Sequence, residues 1–372
     1  MADIRIPTEL LPADGRFGCG PSRVRQAQID AFATRGAALM GTSHRQAPVK
    51  NLVRRVQDGL MDLFHNPEGY EIVLGDGGST AFWDVASFSL AEGKAQALVH
   101  GEFGSKFASA LKAPWLDTPT VINGTPGSRL ELQAEAGVSL YAYAQNETST
   151  GVVTPVKRVS GVDDGALFLT DATSAAGGID FDATETDVYY FAPQKNFASD
   201  GGLWLALMSP AAIERAERVA SSGRYIPEFL SLKTAIDNSR LNQTLNTPAI
   251  STLFFLAEQV DWINENGGLA WADSRTKAAS KFLYDWADAS SFATPFVTEE
   301  AHRSQVVVTI DFADTVDAAA VAKVLRANGV VDTDPYRKLG RNQLRVATFT
   351  ATELEDVKQL TRCIDYVVGQ LA

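Results

Sequence analysis

One lysine in this chain stands where a side-chain amine can be made reactive. In Phe191-Ala-Pro-Gln-Lys-Asn-Phe-Ala-Ser-Asp-Gly-Gly-Leu-Trp204, Lys195 lies between an apolar β-like run at 188–191 and a glycine pair that opens a second apolar run at 203–208. Upstream, Phe168-Leu-Thr-Asp171 closes a different apolar run with a carboxylate. A strand-end amine can form a Schiff base with an aldehyde, and a strand-end carboxylate can pair with a protonated ring nitrogen. These are the two groups that pyridoxal phosphate chemistry needs, the second keeping the ring an electron sink. Taken singly, Lys195 also reads as a solvated loop lysine and Asp171 as a turn former or helix cap.

Other polar segments suit the same ligand. Leu74-Gly-Asp-Gly-Gly-Ser-Thr80 follows an apolar run and opens a helical pattern. Its glycines let the backbone approach a ligand, and a helix start offers free N–H groups to an anion. It lacks both the dinucleotide spacing and a Walker lysine, so a single phosphate is the better match; an ordinary glycine-rich turn is the alternative. Asn146-Glu-Thr-Ser-Thr-Gly151 reads either as a polar wall of the same crevice or as a plain loop. Thr42-Ser-His-Arg45 offers an arginine fork suited to carboxylate or phosphate, or a surface patch. Tyr336-Arg-Lys-Leu-Gly-Arg-Asn-Gln-Leu-Arg345 packs four cations into ten residues, as a solvated loop or as a dock for an anionic substrate. The histidines show no metal-ligand spacing, and the two cysteines, Cys19 and Cys363, lie at opposite ends of the chain, so neither a metal site nor a disulfide framework is expected.

The elements that must hold these residues alternate. Strands are predicted at 71–74, 96–99, 140–144, 166–170, 187–191 and 203–208, with helices at 49–64, 80–90 and 105–111. This alternation predicts an α/β fold with a mainly parallel sheet covered on both faces, whose ligands gather at the carboxyl ends of the strands. A long helix at 248–266 ends at Gly267-Gly268. Beyond it the pattern gives a helix at 271–287, a strand at 306–311, a helix at 317–328, a strand at 344–348 and a last helix at 352–371. Cys363 falls on the apolar stripe of that last helix, a packing position.

Composition bounds the function. A chain of 372 residues with 45% hydrophobic and 21% charged residues is an ordinary globular protein large enough for more than one domain. Its formal net charge of −12 argues against a nucleic-acid partner, while local basic clusters still allow an anionic substrate. The start Met-Ala-Asp-Ile-Arg-Ile-Pro has no apolar signal core and no run of 18 apolar residues occurs, so the expectation is a reduced, cytoplasmic protein without a membrane partner.

Together these residues resemble the phosphoserine aminotransferase family of the class V pyridoxal phosphate aminotransferases. The resemblance runs from Arg16-Phe-Gly-Cys-Gly-Pro-Ser22 to the C-terminal helix, and Ala192-Pro-Gln-Lys-Asn196 looks like the family's lysine signature. Gly41-Thr-Ser-His-Arg-Gln-Ala-Pro-Val-Lys-Asn51 and Asn146–Gly151 look most similar to the actinobacterial branch. The resemblance implies the fold type I of these transferases. An N-terminal segment at 1–15 would precede a large cofactor-binding domain at 16–266 with a mainly parallel seven-stranded sheet, followed by a smaller α+β domain at 267–372.

It also implies roles. Lys195 would carry the cofactor and move the α-proton, and Asp171 would pair with the pyridine nitrogen. Gly78 and Ser79 would hold the cofactor phosphate, Phe103 would stack on the ring, Thr148 would bond the ring oxygen, and Gln194 would support the ring. Phe103 stands where many members carry Trp, and Ser79 where many carry Arg. Asn246 and Thr247 would reach the cofactor phosphate of a neighbouring subunit, which implies a homodimer. Arg45 and Arg345 match carboxylate-binding positions and His44 one near the substrate phosphate; Arg337, Lys338 and Arg341 align less cleanly.

The implied reaction moves the amino group of L-glutamate to 3-phosphohydroxypyruvate, giving 2-oxoglutarate and O-phospho-L-serine. That is a step of serine biosynthesis, with a possible counterpart in pyridoxine biosynthesis. Three alternatives stay open. An alanine or serine–glyoxylate aminotransferase would not need the cations at 337–341. A cysteine desulfurase needs a nucleophilic thiolate on a mobile loop, which neither cysteine position offers. A non-enzymatic binder of a phosphorylated metabolite would need only the glycine loop.

Overall fold

The computed structural model describes residues 4–371. The first three residues of the segment 1–15, and Ala372, lie outside the described residues.

Uninterrupted apolar runs make strands that are buried on both faces. In chain order the strands are β1 (Glu71–Asp76), β2 (Lys94–Val99), β3 (Thr120–Asn123), β4 (Val138–Ala144), β5 (Asn146–Glu147), β6 (Val152–Val153), β7 (Leu167–Asp171), β8 (Val188–Phe191), β9 (Leu203–Met208), β10 (Ala293–Pro295), β11 (Val307–Phe312) and β12 (Gln343–Ala347). The helices are α1 (Gln26–Ala31), α2 (Ala47–Leu63), α3 (Gly78–Ser89), α4 (Glu102–Ala110), α5 (Pro210–Ala220), α6 (Leu232–Arg240), α7 (Ile250–Glu265), α8 (Gly268–Ala289), α9 (Ala318–Ala327) and α10 (Leu354–Leu371).

Seven strands form the main sheet, in the order β1-β9-β8-β7-β4-β2-β3. All neighbours are parallel except β9, which runs antiparallel to both β1 and β8. The expected mainly parallel seven-stranded sheet is therefore present. The short edge strand β3 and the ribbon of β5 and β6 went unpredicted, because runs of two to four half-polar residues carry no period. Helix α5 and helix α6 were also not anticipated.

Two cores sandwich the sheet. On one face, α2 buries Val49, Leu52, Val53, Val56, Leu60 and Leu63, a helical stripe that packs on α7 through Leu253, Ala257 and Val260. The helices approach so closely that a Cβ on Gly59 would lie 2.7 Å from Val260. On the other face, Phe82, Trp83 and Ala86 of α3 and Phe107 of α4 pack on Val73, Tyr190 and Ala206. A third core joins α8, α9 and α10 to Val308, Ile310, Leu344 and Val346, and also takes in Ile6 and Phe17 from the start of the chain. Cys363 is buried in it, as its place on the helical stripe predicts.

Asn196, beside Lys195, fastens the third core to the main sheet. Its Nδ2 donates to the Ser174 carbonyl at 2.8 Å, and its Oδ1 accepts from the Thr350 backbone N–H at 3.1 Å. The side chain is fully buried, so no water replaces either bond. Asn196→Ala is expected to leave both backbone groups unpaired and to destabilise the protein by about 2–4 kcal/mol, read as a lower midpoint in urea unfolding.

Candidate active site

Lys195 follows β8 on the loop to β9, at the carboxyl end of the parallel strands, and is 9% exposed. Its Nζ donates to the Cys19 carbonyl. Ser22 pins the loop: its Oγ donates to the Lys195 carbonyl at 2.6 Å and its backbone N–H to the Gln194 carbonyl at 2.9 Å. Gly20 makes room for the amine, since a Cβ there would lie 2.1 Å from Nζ. Burial lowers the lysine from its usual 10.5 to about 8; the Arg345 guanidinium pushes the same way, while Asp171 and Glu147 oppose it.

Asp171 ends β7, directly opposite Tyr190 in the parallel register with β8. Its Oδ1 accepts from the Thr173 backbone N–H at 2.9 Å. Its Oδ2 accepts from the Tyr190 hydroxyl at 2.9 Å and from the Trp83 indole N–H at 3.3 Å.

Helix α3 starts at Gly78 behind Gly77, and both glycines have positive φ, 71° and 105°. That left-handed turn takes the chain from β1 into the helix without a side chain in the way. No side chain among the described residues caps the helix, which leaves its first N–H groups to an anion. Ser79 accepts from the Thr173 hydroxyl at 2.7 Å.

Glu147 holds the opposite wall. It is fully buried, and its carboxylate accepts from the backbone N–H groups of Phe103 and Gly104 at 3.1 and 3.0 Å and from the Ser149 hydroxyl at 2.6 Å. A carboxylate at the start of α4 satisfies donors the helix leaves open, and so fixes Phe103. Burial pushes the Glu147 carboxyl up, against those hydrogen bonds. Next to it, the Thr148 hydroxyl donates to Ser174 Oγ at 2.7 Å.

Of the sequence-predicted cofactor residues, Gly78, Ser79, Phe103, Thr148, Asp171, Gln194 and Lys195 line one cavity of about 240 Å³. Oε1 of Gln194 and Oδ1 of Asn146, both in its wall, are buried without a partner among the described residues. Buried polar atoms are rarely left so in a filled site. An amine, a carboxylate, an open helix start and an aromatic ring around one cavity match a flat pyridine aldehyde bearing a phosphate. Pyridoxal phosphate therefore fits these residues.

Arg345, on β12, comes to the rim from the C-terminal part. Its Nη1 donates to the Thr148 carbonyl at 3.0 Å, and its guanidinium lies 5.3 Å from the centre of the Tyr336 ring. Nε of Arg345 has no partner among the described residues. Tyr336 in turn sits 6.0 Å from Phe103. The basic segment divides its cations. Lys338 pairs with Glu102 at 2.5 Å, Arg341 pairs with Asp311, and Arg337 is exposed without a hydrogen bond or ion pair among the described residues.

Asn246, Thr247, His44 and Arg45 are not in the cavity wall but gather in a second group. His44 Nδ1 lies 3.1 Å from the Thr247 hydroxyl, and Arg45 donates to Gln243 Oε1 at 3.1 Å. Burial lowers the His44 imidazole, and the Arg45 charge adds to this. Asn246 and Thr247 are exposed.

Sequence reasoning missed Trp83, Tyr190, Glu147, Ser174 and Gly20. Trp83 and Tyr190 read as core residues because their apolar bodies dominate; the pairing of β7 with β8 puts the Tyr190 hydroxyl on Asp171, and the packing of α3 on the sheet brings the Trp83 indole there. Glu147 had a signal, an acid set between two strand patterns.

The Aminotransferase class-V family matches residues 20–332. The phosphoserine aminotransferase of Nocardioides sp. (strain ATCC BAA-499 / JS614) is 60% identical over 370 residues, 99% of each chain. A phosphoserine aminotransferase from Cytophaga hutchinsonii ATCC 33406 superposes with a TM-score of 0.84 at 21% identity, over 95% of this chain and 99% of that one. A phosphoserine aminotransferase from Trichomonas vaginalis, solved with pyridoxal phosphate bound, gives 0.80 at 18% identity over 95% and 99%. The two structures share the fold, and the family match with the full-length relative carries the assignment: this chain belongs to the class-V aminotransferases.

Proposed function

We propose that this chain is a pyridoxal phosphate-dependent phosphoserine aminotransferase, passing the amino group of L-glutamate to 3-phosphohydroxypyruvate to give O-phospho-L-serine and 2-oxoglutarate. The observation that carries the reading is one cavity lined by Lys195, Asp171 and the open start of α3, with Arg345 at its rim. The 60% identity to a full-length phosphoserine aminotransferase supports the choice of substrate.

When bound, the cofactor supplies an electron sink that stabilises negative charge at the amino acid's α-carbon. The chain's residues do the rest. Lys195 anchors the cofactor and then takes and returns the α-proton through Nζ. With its basicity lowered to about 8, an appreciable neutral fraction is present near neutral pH. Asp171 holds the ring cation, Gly78 and Ser79 receive the phosphate, Phe103 and Gln194 fix the ring plane, and Thr148 meets the ring oxygen. Arg345 takes the substrate carboxylate as a planar fork. Arg337, Lys338 and Arg341 are candidates for the substrate phosphate, and among the described residues Arg337 is the one of the three with no carboxylate already on it.

The group of His44, Arg45, Asn246 and Thr247 supports a homodimer in which each copy completes its neighbour's site. The four residues lie outside this chain's own cavity wall, and Leu241, two residues before Gln243 in sequence, is an exposed apolar side chain. Residues 16–266 and 267–372 as two domains, with 1–15 as a leading segment, belong to the same reading, supported by a third core that draws mainly on residues after 278, with Ile6 and Phe17 added from the start of the chain. So do a place in serine biosynthesis, with pyridoxine biosynthesis a possible second one, and a cytoplasmic setting. No helix among the described residues is long and apolar enough to cross a membrane.

Two measurements test the reading. Amination of 3-phosphohydroxypyruvate should exceed that of unphosphorylated hydroxypyruvate and of glyoxylate by roughly 100-fold or more in kcat/KM, since the unphosphorylated acids forgo the charge-assisted hydrogen bonds to a phosphate, each worth about 1.5–3 kcal/mol. Equal rates would return the function to the glyoxylate-type alternative, and Lys195→Ala should abolish turnover of every substrate. For pH, the protonated amine cannot attack an aldehyde. Cofactor uptake by the apoprotein, followed by stopped-flow absorbance, should therefore speed up as pH rises towards about 8 and level off above it. A rise continuing to 10.5, the ordinary value, would place Lys195 in solvent instead.

A further inference from the structure

Tyr190 is a buried hydroxyl that the reaction as described does not use. It sits in the centre of β8, fully buried, directly opposite Asp171 in the parallel register. Its ring is clamped, stacked on Phe82 with centroids 4.3 Å apart and meeting Phe107 edge-on at 5.9 Å. Burial raises its phenol well above the usual value, so it is a proton donor at any working pH. The hydroxyl donates to Asp171 Oδ2 at 2.9 Å. The Trp83 indole N–H serves both atoms, at 3.0 Å from the Tyr190 oxygen and 3.3 Å from Asp171 Oδ2. Trp83 lies on α3, whose first turn opens on the same cavity.

A carboxylate has about four lone-pair sites, two on each oxygen. Tyr190 and Trp83 take both on Oδ2, and the Thr173 backbone N–H takes one on Oδ1 at 2.9 Å. One site remains, on Oδ1. A carboxylate held at three points cannot turn about its terminal torsion, which is otherwise broad and soft.

We propose that Tyr190, backed by Trp83, is a positioning residue that locks the Asp171 carboxylate so that only Oδ1 is open to a ring cation in the cavity. The proposal rests on the reading of Asp171 as the partner of the cofactor's ring nitrogen. The same strand register that makes the sheet thus sets the angle of the group that charges the ring. Chained donors of this kind polarise one another, so the lock is more than two separate bonds.

The test is the pH midpoint of the absorbance change of the bound cofactor. A carboxylate free to turn holds the ring's positive charge less well, and the far end of the conjugated system then keeps its own proton to higher pH. Tyr190→Phe, which keeps the stacking ring and removes only the hydroxyl, is expected to raise the midpoint by about half a unit or more. Trp83→Phe should move it in the same direction by less. Asp171→Asn separates the two readings. If Asp171→Asn leaves the midpoint in place, the assignment of Asp171 itself fails. If Asp171→Asn raises it while Tyr190→Phe matches the unaltered protein, the lock is overturned and the Asp171 assignment stands. Should Tyr190→Phe fail to retain cofactor, the Trp83→Phe midpoint decides alone, and no rise there overturns the proposal. A fall in thermal stability without a change in midpoint would mark Tyr190 as a structural residue only, which also overturns it.

Discussion

The burial of one amine governs the rest of this structure. Moving a charged lysine out of water is costly, and a protein lowers that cost by letting the group lose its proton. Lys195 is 9% exposed, and among the described residues its amine bonds the Cys19 carbonyl and no carboxylate; it settles at about 8. A partner acid beside Nζ would have kept the amine charged and useless as a nucleophile. The acids that do face the region, Asp171 and Glu147, are bound to Tyr190, Trp83, Thr173 and the start of α4 instead. The charge pattern of the site follows from keeping them so occupied.

Backbone topology enforces that arrangement. In a parallel sheet all carboxyl ends lie on one side, so the segments after β1, β2, β4, β7 and β8 meet there whatever their separation in sequence. The antiparallel β9 matters for a different reason. Running back between β1 and β8, it closes the Lys195 loop into a tight return whose Gly202 lines the cavity beside the α3 start. Asn196, bonded to the Thr350 backbone, and Arg345, bonded to the Thr148 carbonyl, then tie the C-terminal part to the loops at these strand ends. The site is thus built across two cores, and its geometry depends on their mutual fit.

Much of this was legible in the sequence, for physical reasons. Fully buried strands write themselves as apolar runs, and β9 was read from 203 to 208 without error. Helix α2 announced itself by a clean stripe, yet it and α3 each began two residues before its reading, α3 because Gly78 and Ser79 look like loop. The glycine loop, Asp171 and Lys195 were legible because chemistry demands particular residue types at strand ends. The supporting contacts were not. Ser174 looks like any loop serine and Tyr190 looks like core, until the fold sets them against Thr148 and Asp171. Register and crossovers are long-range facts, and a single sequence records them only as a pattern of burial.

The division between buried and exposed polar groups carries the last step of the argument. Ser79, Thr148 and Asp171, assigned to the cofactor, are buried and held by hydrogen bonds of 2.7 to 3.3 Å, so their geometry is set before any ligand arrives. Groups assigned to the substrate phosphate are exposed, and two of three are already paired with acids. Exposed pairs contribute on the order of 1 kcal/mol or less, so exchanging a carboxylate for a doubly charged phosphate costs little. A cofactor that stays through many turnovers suits the rigid set, and a substrate that must leave after each one suits the exchangeable set.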